Sequence, residues 1–143
     1  MAGGRGLRLH PLTSKIPKPL LKVGNKPIIE TIIDNCAANG LKKFTLAVNY
    51  KAELIEAYFG DGQTKGLEIS YIRENKPLGT AGALRLFKSD KPFIVHNADI
   101  IADVDYGNLM TFHAENGNEA TACLGLHLHQ IPFGVAITEG RRI

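Results

Sequence analysis

The spacing of hydrophobic residues along the chain alternates between that of a helix and that of a strand. After Pro27, a residue favoured in a first helical turn, apolar residues recur three and four positions apart as far as Cys36, and Gly40 ends the run. The pattern also predicts helices over residues 52–59, 79–88 and 105–115, and strands over residues 44–48, 67–73, 93–96, 120–128 and 134–138.

Strands that alternate with helices need crossover connections, so the order predicts an α/β fold with a mostly parallel sheet. In such sheets, ligands bind at the carboxyl ends of the strands. Three polar or glycine-rich segments lie at predicted strand ends: residues 3–6, 74–82 and 97–99. We therefore expect a functional site where these segments meet.

Composition limits the class of protein. The 143 residues, 44% of them hydrophobic, predict a single domain over residues 1–143 with a real core. The net charge of +3 is small and scattered, so no nucleic-acid surface is expected. No segment approaches the ~20 apolar residues of a membrane span, and no signal peptide pattern is visible. These observations favour a cytoplasmic protein that binds an anionic small molecule.

The start of the chain combines glycines with fixed cations. Gly3, Gly4 and Gly6 leave backbone N–H groups open to a close ligand, and Arg8 and Lys18 follow ten residues apart. Backbone N–H groups and cations together form a site for a polyphosphate.

Two common phosphate motifs fail to match this segment. A Walker A loop requires Gly-Lys-Ser/Thr, which is absent. The dinucleotide fingerprint begins at Gly4-Arg5-Gly6, but Leu9 occupies the place of the third glycine. The nearest acidic residue, Glu30, falls inside a predicted helix and not where a ribose-binding acid is expected.

The remaining pattern, Gly-Gly-x-Gly-x-Arg-Leu-x-Pro-Leu-Thr followed by Pro-Lys-Pro, resembles the signature of the sugar-1-phosphate nucleotidyltransferases, or nucleotide-sugar pyrophosphorylases. The resemblance continues in the family's order through residues 21–29, 77–84 and 97–99. The Pro-Leu-Gly-Thr-Ala-Gly segment is most similar to the mannose-1-phosphate guanylyltransferase branch. The resemblance implies a Rossmann-like three-layer fold with a mixed, mostly parallel sheet, the nucleotide-diphospho-sugar transferase fold.

The implied reaction transfers a nucleotidyl group from a nucleoside triphosphate to a hexose-1-phosphate. An oxygen of the sugar phosphate attacks the α-phosphorus, pyrophosphate leaves, and a nucleotide-sugar forms. By resemblance, Arg8 stabilises the triphosphate and the departing pyrophosphate, and Lys18 lies near the α-phosphate or the incoming sugar phosphate. The resemblance assigns nucleotide binding to Ala2, Gly3, Gly4, Gly6, Glu74, Gly79 and Thr80.

Two further roles follow from the resemblance. Asp99 matches the family's metal-ligating aspartate, and a rigid carboxylate at a strand end suits a Mg²⁺ that bridges substrate phosphates. Gly134 matches a glycine that contacts the sugar. Ala98 stands where the family usually has glycine, which is the smallest departure from the pattern.

Glu74 is the candidate reader of the base. A carboxylate accepts hydrogen bonds, and guanine offers adjacent N1–H and N2–H₂ donors, whereas thymine and uracil offer one N3–H. Family members that use a pyrimidine often have glutamine here, so Glu74 favours GTP. A thymidylyl-, uridylyl- or cytidylyltransferase remains the alternative within the family.

The resemblance is incomplete in two places. Leu7 stands where the family usually has threonine, and the sugar-site motif and second metal aspartate that follow Gly134 in the family are not in this chain. The resemblance therefore predicts that residues 1–143 are the N-terminal, nucleotide-binding portion of a single nucleotidyltransferase domain. This domain is truncated at its C-terminus and is expected to have weak or no activity by itself. A non-catalytic, nucleotide-sugar-binding regulatory homologue stays open as an alternative, as does a homo-oligomer.

Overall fold

A computed structural model of the protein describes residues 1–76 and 78–126. The chain divides into two compact units, Met1–Asn108 and Leu109–Ile143. None of the helices in the described part of the chain is long and apolar enough to cross a membrane.

The first unit alternates strands and helices, as the sequence predicts. A short antiparallel pair, β1 (Lys22–Val23) and β2 (Lys26–Pro27), leads into helix α1 (Ile28–Ala38). Strand β3 (Lys43–Val48), helix α2 (Ala52–Phe59) and strand β4 (Glu68–Arg73) follow, and helix α3 (Tyr106–Glu115) begins near the end of this unit. Single 3₁₀ turns occupy Leu7–Leu9, Leu12–Ser14, Lys18–Leu20, Gln63–Lys65 and Gly82–Leu86.

Strands β3 and β4 are parallel neighbours. Their register runs from Lys43 opposite Glu68 to Val48 opposite Arg73, with α2 in the connection between them. A parallel pair joined through a helix is the βαβ unit of α/β proteins, so the predicted fold class is confirmed.

Helix α1 ends in a Schellman motif, which explains why the apolar run stops at Gly40. The Leu41 N–H donates to the Cys36 carbonyl at 3.1 Å, and the Gly40 N–H donates to the Ala37 carbonyl at 3.0 Å. Gly40 has a φ of +86°, which glycine adopts without strain.

The core lies between the helices and the parallel strands. Helices α1 and α2 and strands β3 and β4 contribute apolar side chains that are less than a tenth exposed. Burial of such side chains is the main favourable term in folding. The larger members are Ile29 and Ile33 of α1, Leu46 and Val48 of β3, Ile55 and Phe59 of α2, and Leu67 and Ile69 at the start of β4.

The helix predicted over residues 79–88 is wrong in type and length. Only a 3₁₀ turn, Gly82–Leu86, forms there. Gly79 has a φ of +84°, and Gly79, Thr80 and Gly82 are all poor helix formers, so the apolar spacing of this segment does not produce an α-helix.

The strand predicted over residues 93–96 is not a regular strand either. The segment meets the sheet at its end, where His96 and Ala98 exchange hydrogen bonds with the backbone of Met1. Two hydrogen bonds position the segment without making an extended ladder.

The second unit is described as far as residue 126. Within it, the His113 Nδ1 lies 3.0 Å from the hydroxyl of Thr121, and the Asn118 side-chain amide donates to the same hydroxyl. Residues 120–126 do not form the predicted strand, and residues 134–138 lie outside the described residues.

Candidate functional site

Backbone hydrogen bonds bring the three predicted strand ends to one edge of the sheet. The Ala2 N–H donates to the Ala47 carbonyl at 2.8 Å, which places the start of the chain beside the end of β3. On its other side, the Met1 nitrogen donates to the His96 carbonyl at 2.8 Å, and the Ala98 N–H donates to the Met1 carbonyl at 3.0 Å. The end of β4 joins them, since the Glu74 N–H donates to the Val48 carbonyl.

A cavity of about 630 Å³ opens at this edge. It is lined by the glycine-rich start of the chain and by the ends of the neighbouring segments. Its lining includes the predicted residues Ala2, Gly3, Gly4, Gly6, Arg8, Lys18, Glu74, Gly79, Thr80 and Asp99. Gly134 lies outside the described residues.

The glycine loop, residues 3–6, is closely packed at Gly6. A Cβ on Gly6 would lie 2.9 Å from the Thr13 methyl group and 3.1 Å from the Lys18 Cβ, and Gly6 has a φ of +63°. The Thr13 side chain is buried, and its hydroxyl donates to the Gly6 carbonyl at 3.0 Å. Gly6 therefore allows the loop to approach Thr13 and Lys18 more closely than another residue would.

Arg8 sits in the 3₁₀ turn Leu7–Leu9 and is exposed toward the cavity. Within residues 1–76 and 78–126, no carboxylate pairs with it. Its guanidinium is thus a fixed positive charge with its donors free for a phosphate ligand.

Lys18 is held between two buried prolines. Pro17 is fully buried and Pro19 is buried, so the backbone that carries Lys18 is anchored on both sides. The Lys18 Nζ lies 2.5 Å from the Asp99 Oδ2, with the two side chains 33% and 36% exposed. This ion pair joins a cation from the chain start to a carboxylate 81 residues away.

Glu74 is the buried carboxylate of the site, with 9% of its surface exposed. Its Oε2 accepts a hydrogen bond from the Leu78 N–H at 3.2 Å, and a Cβ on Gly3 would lie 3.2 Å from its Oε1. Burial lowers the pKa of the Met1 amino group, while the nearby carboxylates of Glu74 and Asp99 act in the opposite direction. The cavity thus has a negative wall at Glu74 and Asp99 and cations at Arg8 and Lys18.

A metal site made by the protein alone is not present in the described part of the chain, because no three histidine, cysteine or acidic side chains cluster there. Asp99 nevertheless presents a carboxylate at the cavity wall, 36% exposed. A single carboxylate fits Mg²⁺, because this ion is usually bound by one or two carboxylates together with substrate phosphates and water.

Sequence reasoning missed Asn49 and Tyr50, which directly follow β3. The Asn49 side-chain amide donates to the Glu74 carbonyl, and the Tyr50 hydroxyl donates to the Thr13 carbonyl at 3.2 Å. Their place at the carboxyl end of a parallel strand is the signal that could have found them.

Comparisons with known proteins bear on the family and the fold of this chain. The family model described as nucleotidyl transferase matches residues 1–143. The chain is 38% identical to a mannose-1-phosphate guanyltransferase of Gibberella zeae, over 96% of this chain and 39% of that protein. It is 44% identical to the enzyme of the same name from Yarrowia lipolytica, over 85% of this chain and 35% of that protein.

Among solved structures, HddC from Yersinia pseudotuberculosis, complexed with GMP-PN, is similar. The TM-score is 0.66 at 30% identity, over 78% of this chain and 51% of that chain. The chain spans about two fifths of the length of the curated relatives it matches.

Proposed function

We propose that this protein, which belongs to the nucleotidyl transferase family, transfers a guanylyl group from GTP to mannose-1-phosphate. Pyrophosphate is released and a GDP-sugar forms. The observation that carries the proposal is the convergence of the glycine loop, Arg8, Lys18, Glu74 and Asp99 on one cavity.

The proposed reaction requires positive charge close to the phosphates. Two anionic substrates repel each other, and the leaving pyrophosphate gains charge, so catalysis consists mostly of positioning and electrostatic stabilisation. The backbone N–H groups of the glycine loop and the guanidinium of Arg8 bind the triphosphate, and Lys18 neutralises charge at the reacting phosphates. One preorganised donor of this kind lowers the barrier by about 3–4 kcal/mol.

Asp99 would hold Mg²⁺. The ion, when bound, supplies charge neutralisation on the substrate phosphates. The Lys18 ammonium lies 2.5 Å from the Asp99 Oδ2, so the space beside this oxygen suits a cation. With Mg²⁺ held by Asp99, the Lys18 ammonium would be free to neutralise charge on the phosphates.

Glu74 supports guanine as the base. The Leu78 N–H holds one carboxylate oxygen, and the other oxygen lies beside Gly3, which leaves it able to accept a base donor. The similar proteins with the printed name mannose-1-phosphate guanyltransferase, and the similar structure with GMP-PN, agree with this choice.

The test is pyrophosphate release from GTP plus mannose-1-phosphate by the full-length protein, because this chain alone is expected to have weak or no activity. Arg8→Ala and Asp99→Ala should each lower the rate at least about 100-fold, since each removes a charge that acts on the reacting phosphates. The matched controls are Lys22→Ala and Asp103→Ala, whose side chains lie outside the cavity lining.

Undiminished release in either cavity variant would remove that residue from the mechanism. GTP binding without any release by the unaltered full-length protein would overturn the transferase proposal and favour a nucleotide-binding regulatory role.

A further inference from the structure

The turn that follows β3 supports both sides of the nucleotide cavity. Asn49 and Tyr50 are consecutive residues, yet their side chains reach partners 25 residues later and 37 residues earlier in the chain. One partner belongs to the predicted base reader, and the other belongs to the support of the glycine loop. Neither Asn49 nor Tyr50 lines the cavity.

Asn49 is tied to the base side. Its side-chain amide donates to the backbone carbonyl of Glu74, and its Cβ would lie 3.2 Å from a Cβ placed on Gly3. Glu74 is also held by the Leu78 N–H, which binds its carboxylate. The Asn49 amide thus fixes the backbone from which the Glu74 carboxylate projects.

Tyr50 is tied to the phosphate side. Its hydroxyl donates to the Thr13 carbonyl, and the Thr13 hydroxyl in turn donates to the Gly6 carbonyl at 3.0 Å. The neighbouring Lys51 Nζ donates to the Ser14 carbonyl at 2.5 Å, so two side chains of the same turn hold the same segment. A shift of Thr13 would pass directly to Gly6, whose packing leaves no free space on that side.

We infer that Asn49 and Tyr50 are positioning residues with separate tasks: Asn49 sets base selectivity through Glu74, and Tyr50 sets phosphate affinity through Thr13 and Gly6. The inference rests on the proposed function, because it takes a nucleoside triphosphate as the ligand. When a binding group is displaced by a fraction of its contact distance, the interactions made by that group become weaker. Interactions made by other groups of the site are not affected. The two residues should therefore affect different parts of the ligand.

The test compares the dissociation constants of GTP, UTP and inorganic tripolyphosphate for Asn49→Ala and Tyr50→Phe. In Asn49→Ala, the preference for GTP over UTP should fall about fivefold or more, while tripolyphosphate affinity stays unchanged. In Tyr50→Phe, all three ligands should bind about threefold to fivefold more weakly, while the preference for GTP stays unchanged.

Two controls remove similar hydrogen bonds made by residues that do not line the cavity. Asn39→Ala loses a side-chain amide bond to the Asn35 carbonyl, and Tyr71→Phe loses a hydroxyl bond to the Gly60 carbonyl. If Asn49→Ala and Tyr50→Phe behave as these controls do, or if both weaken every ligand by the same factor, the division of tasks is wrong.

Hydrogen–deuterium exchange without ligand separates this inference from the proposed function. Asn49→Ala should speed exchange around Leu78 only, and Tyr50→Phe should speed exchange over residues 6–14 only. Should the unaltered chain bind none of the three ligands, the proposed function fails, and this local pattern alone decides the positioning claim. Unchanged or uniformly faster exchange would overturn it.

Discussion

Gly6 shows most clearly how a single residue shapes the cavity. Its φ of +63° lies in the left-handed region, and a Cβ there would meet the Thr13 methyl group at 2.9 Å. Gly4, two positions away, has no positive φ, and a Cβ added to it would have nothing within 4 Å. Gly6 is therefore constrained by its backbone conformation and by close packing, whereas Gly4 is constrained by neither.

Gly6→Ala should destabilise the protein by about 1–3 kcal/mol, because alanine must adopt a left-handed conformation and also displace Thr13. Gly4→Ala should change the free energy of unfolding by less than about 0.5 kcal/mol, because neither demand applies there. Urea unfolding of the two variants beside the unaltered chain measures both effects. Equal destabilisation by the two substitutions would show that the close approach at Gly6 does not matter.

The sequence was informative at this scale wherever charge and strand ends coincide. Glu74 and Asp99 follow predicted strands, and the structure brings both to the cavity. Asn49 follows a strand as well, but a single uncharged asparagine forms no sequence motif that would indicate a role. Its contact with Glu74 depends on the pairing of β3 with β4, which a single sequence does not specify.

At the scale of elements, a buried acid links α1 to its neighbours. Glu30 in the first turn of α1 is 8% exposed, accepts a hydrogen bond from the Tyr58 hydroxyl of α2, and pairs with Lys65. The hydrogen bond from Lys65 and then that from Tyr58 hold the pKa of Glu30 below its ordinary value of 4.5. Both partners favour the charged carboxylate, which carries the link between the elements.

The sign of the pH dependence follows from this lowered pKa. A carboxyl group whose pKa is lower in the folded state stabilises the fold above its unfolded pKa and loses that contribution as pH falls through the folded value. Glu30→Gln should therefore cost about 1–3 kcal/mol at pH 7. The difference from the unaltered chain should shrink as pH drops below 4.5.

Urea unfolding of both proteins between pH 7 and pH 3 provides the measurement. Glu68→Gln is the control, because its ion pair with Lys43 is largely exposed, with side chains 68% and 80% accessible. A stability difference for Glu30→Gln that stays constant over this range would contradict the assigned role.

The elements that the sequence predicted well are those with strong periodicity and clear ends. Helix α2 has the predicted bounds, and α1 ends at Ala38, just before the predicted stop at Gly40. The segment over residues 79–88 has helical apolar spacing as well, but its glycines and Thr80 favour a loop. The apolar spacing alone does not take account of the low helix propensity of these residues.

At the scale of the whole first unit, four segments of the chain meet at one edge of the sheet. Residues from the chain start, from the end of β3, from the end of β4 and from residues 96–98 are joined there by backbone hydrogen bonds. The sequence predicted which segments meet, because the carboxyl ends of parallel strands share an edge. The family resemblance supplied the chemistry, and the family match confirms that resemblance.

We propose that this edge binds GTP through the glycine loop at its phosphates and through Glu74 at its base. Titration of the ¹⁵N-labelled chain with GTP and Mg²⁺, followed by amide NMR shifts, examines both contacts at once. GTP should shift the amides of Gly3, Gly4, Gly6 and Leu78, whereas UTP should shift the glycine amides and leave Leu78 nearly unchanged. Shifts scattered away from the cavity, or equal shifts at Leu78 with both nucleotides, would contradict this binding mode.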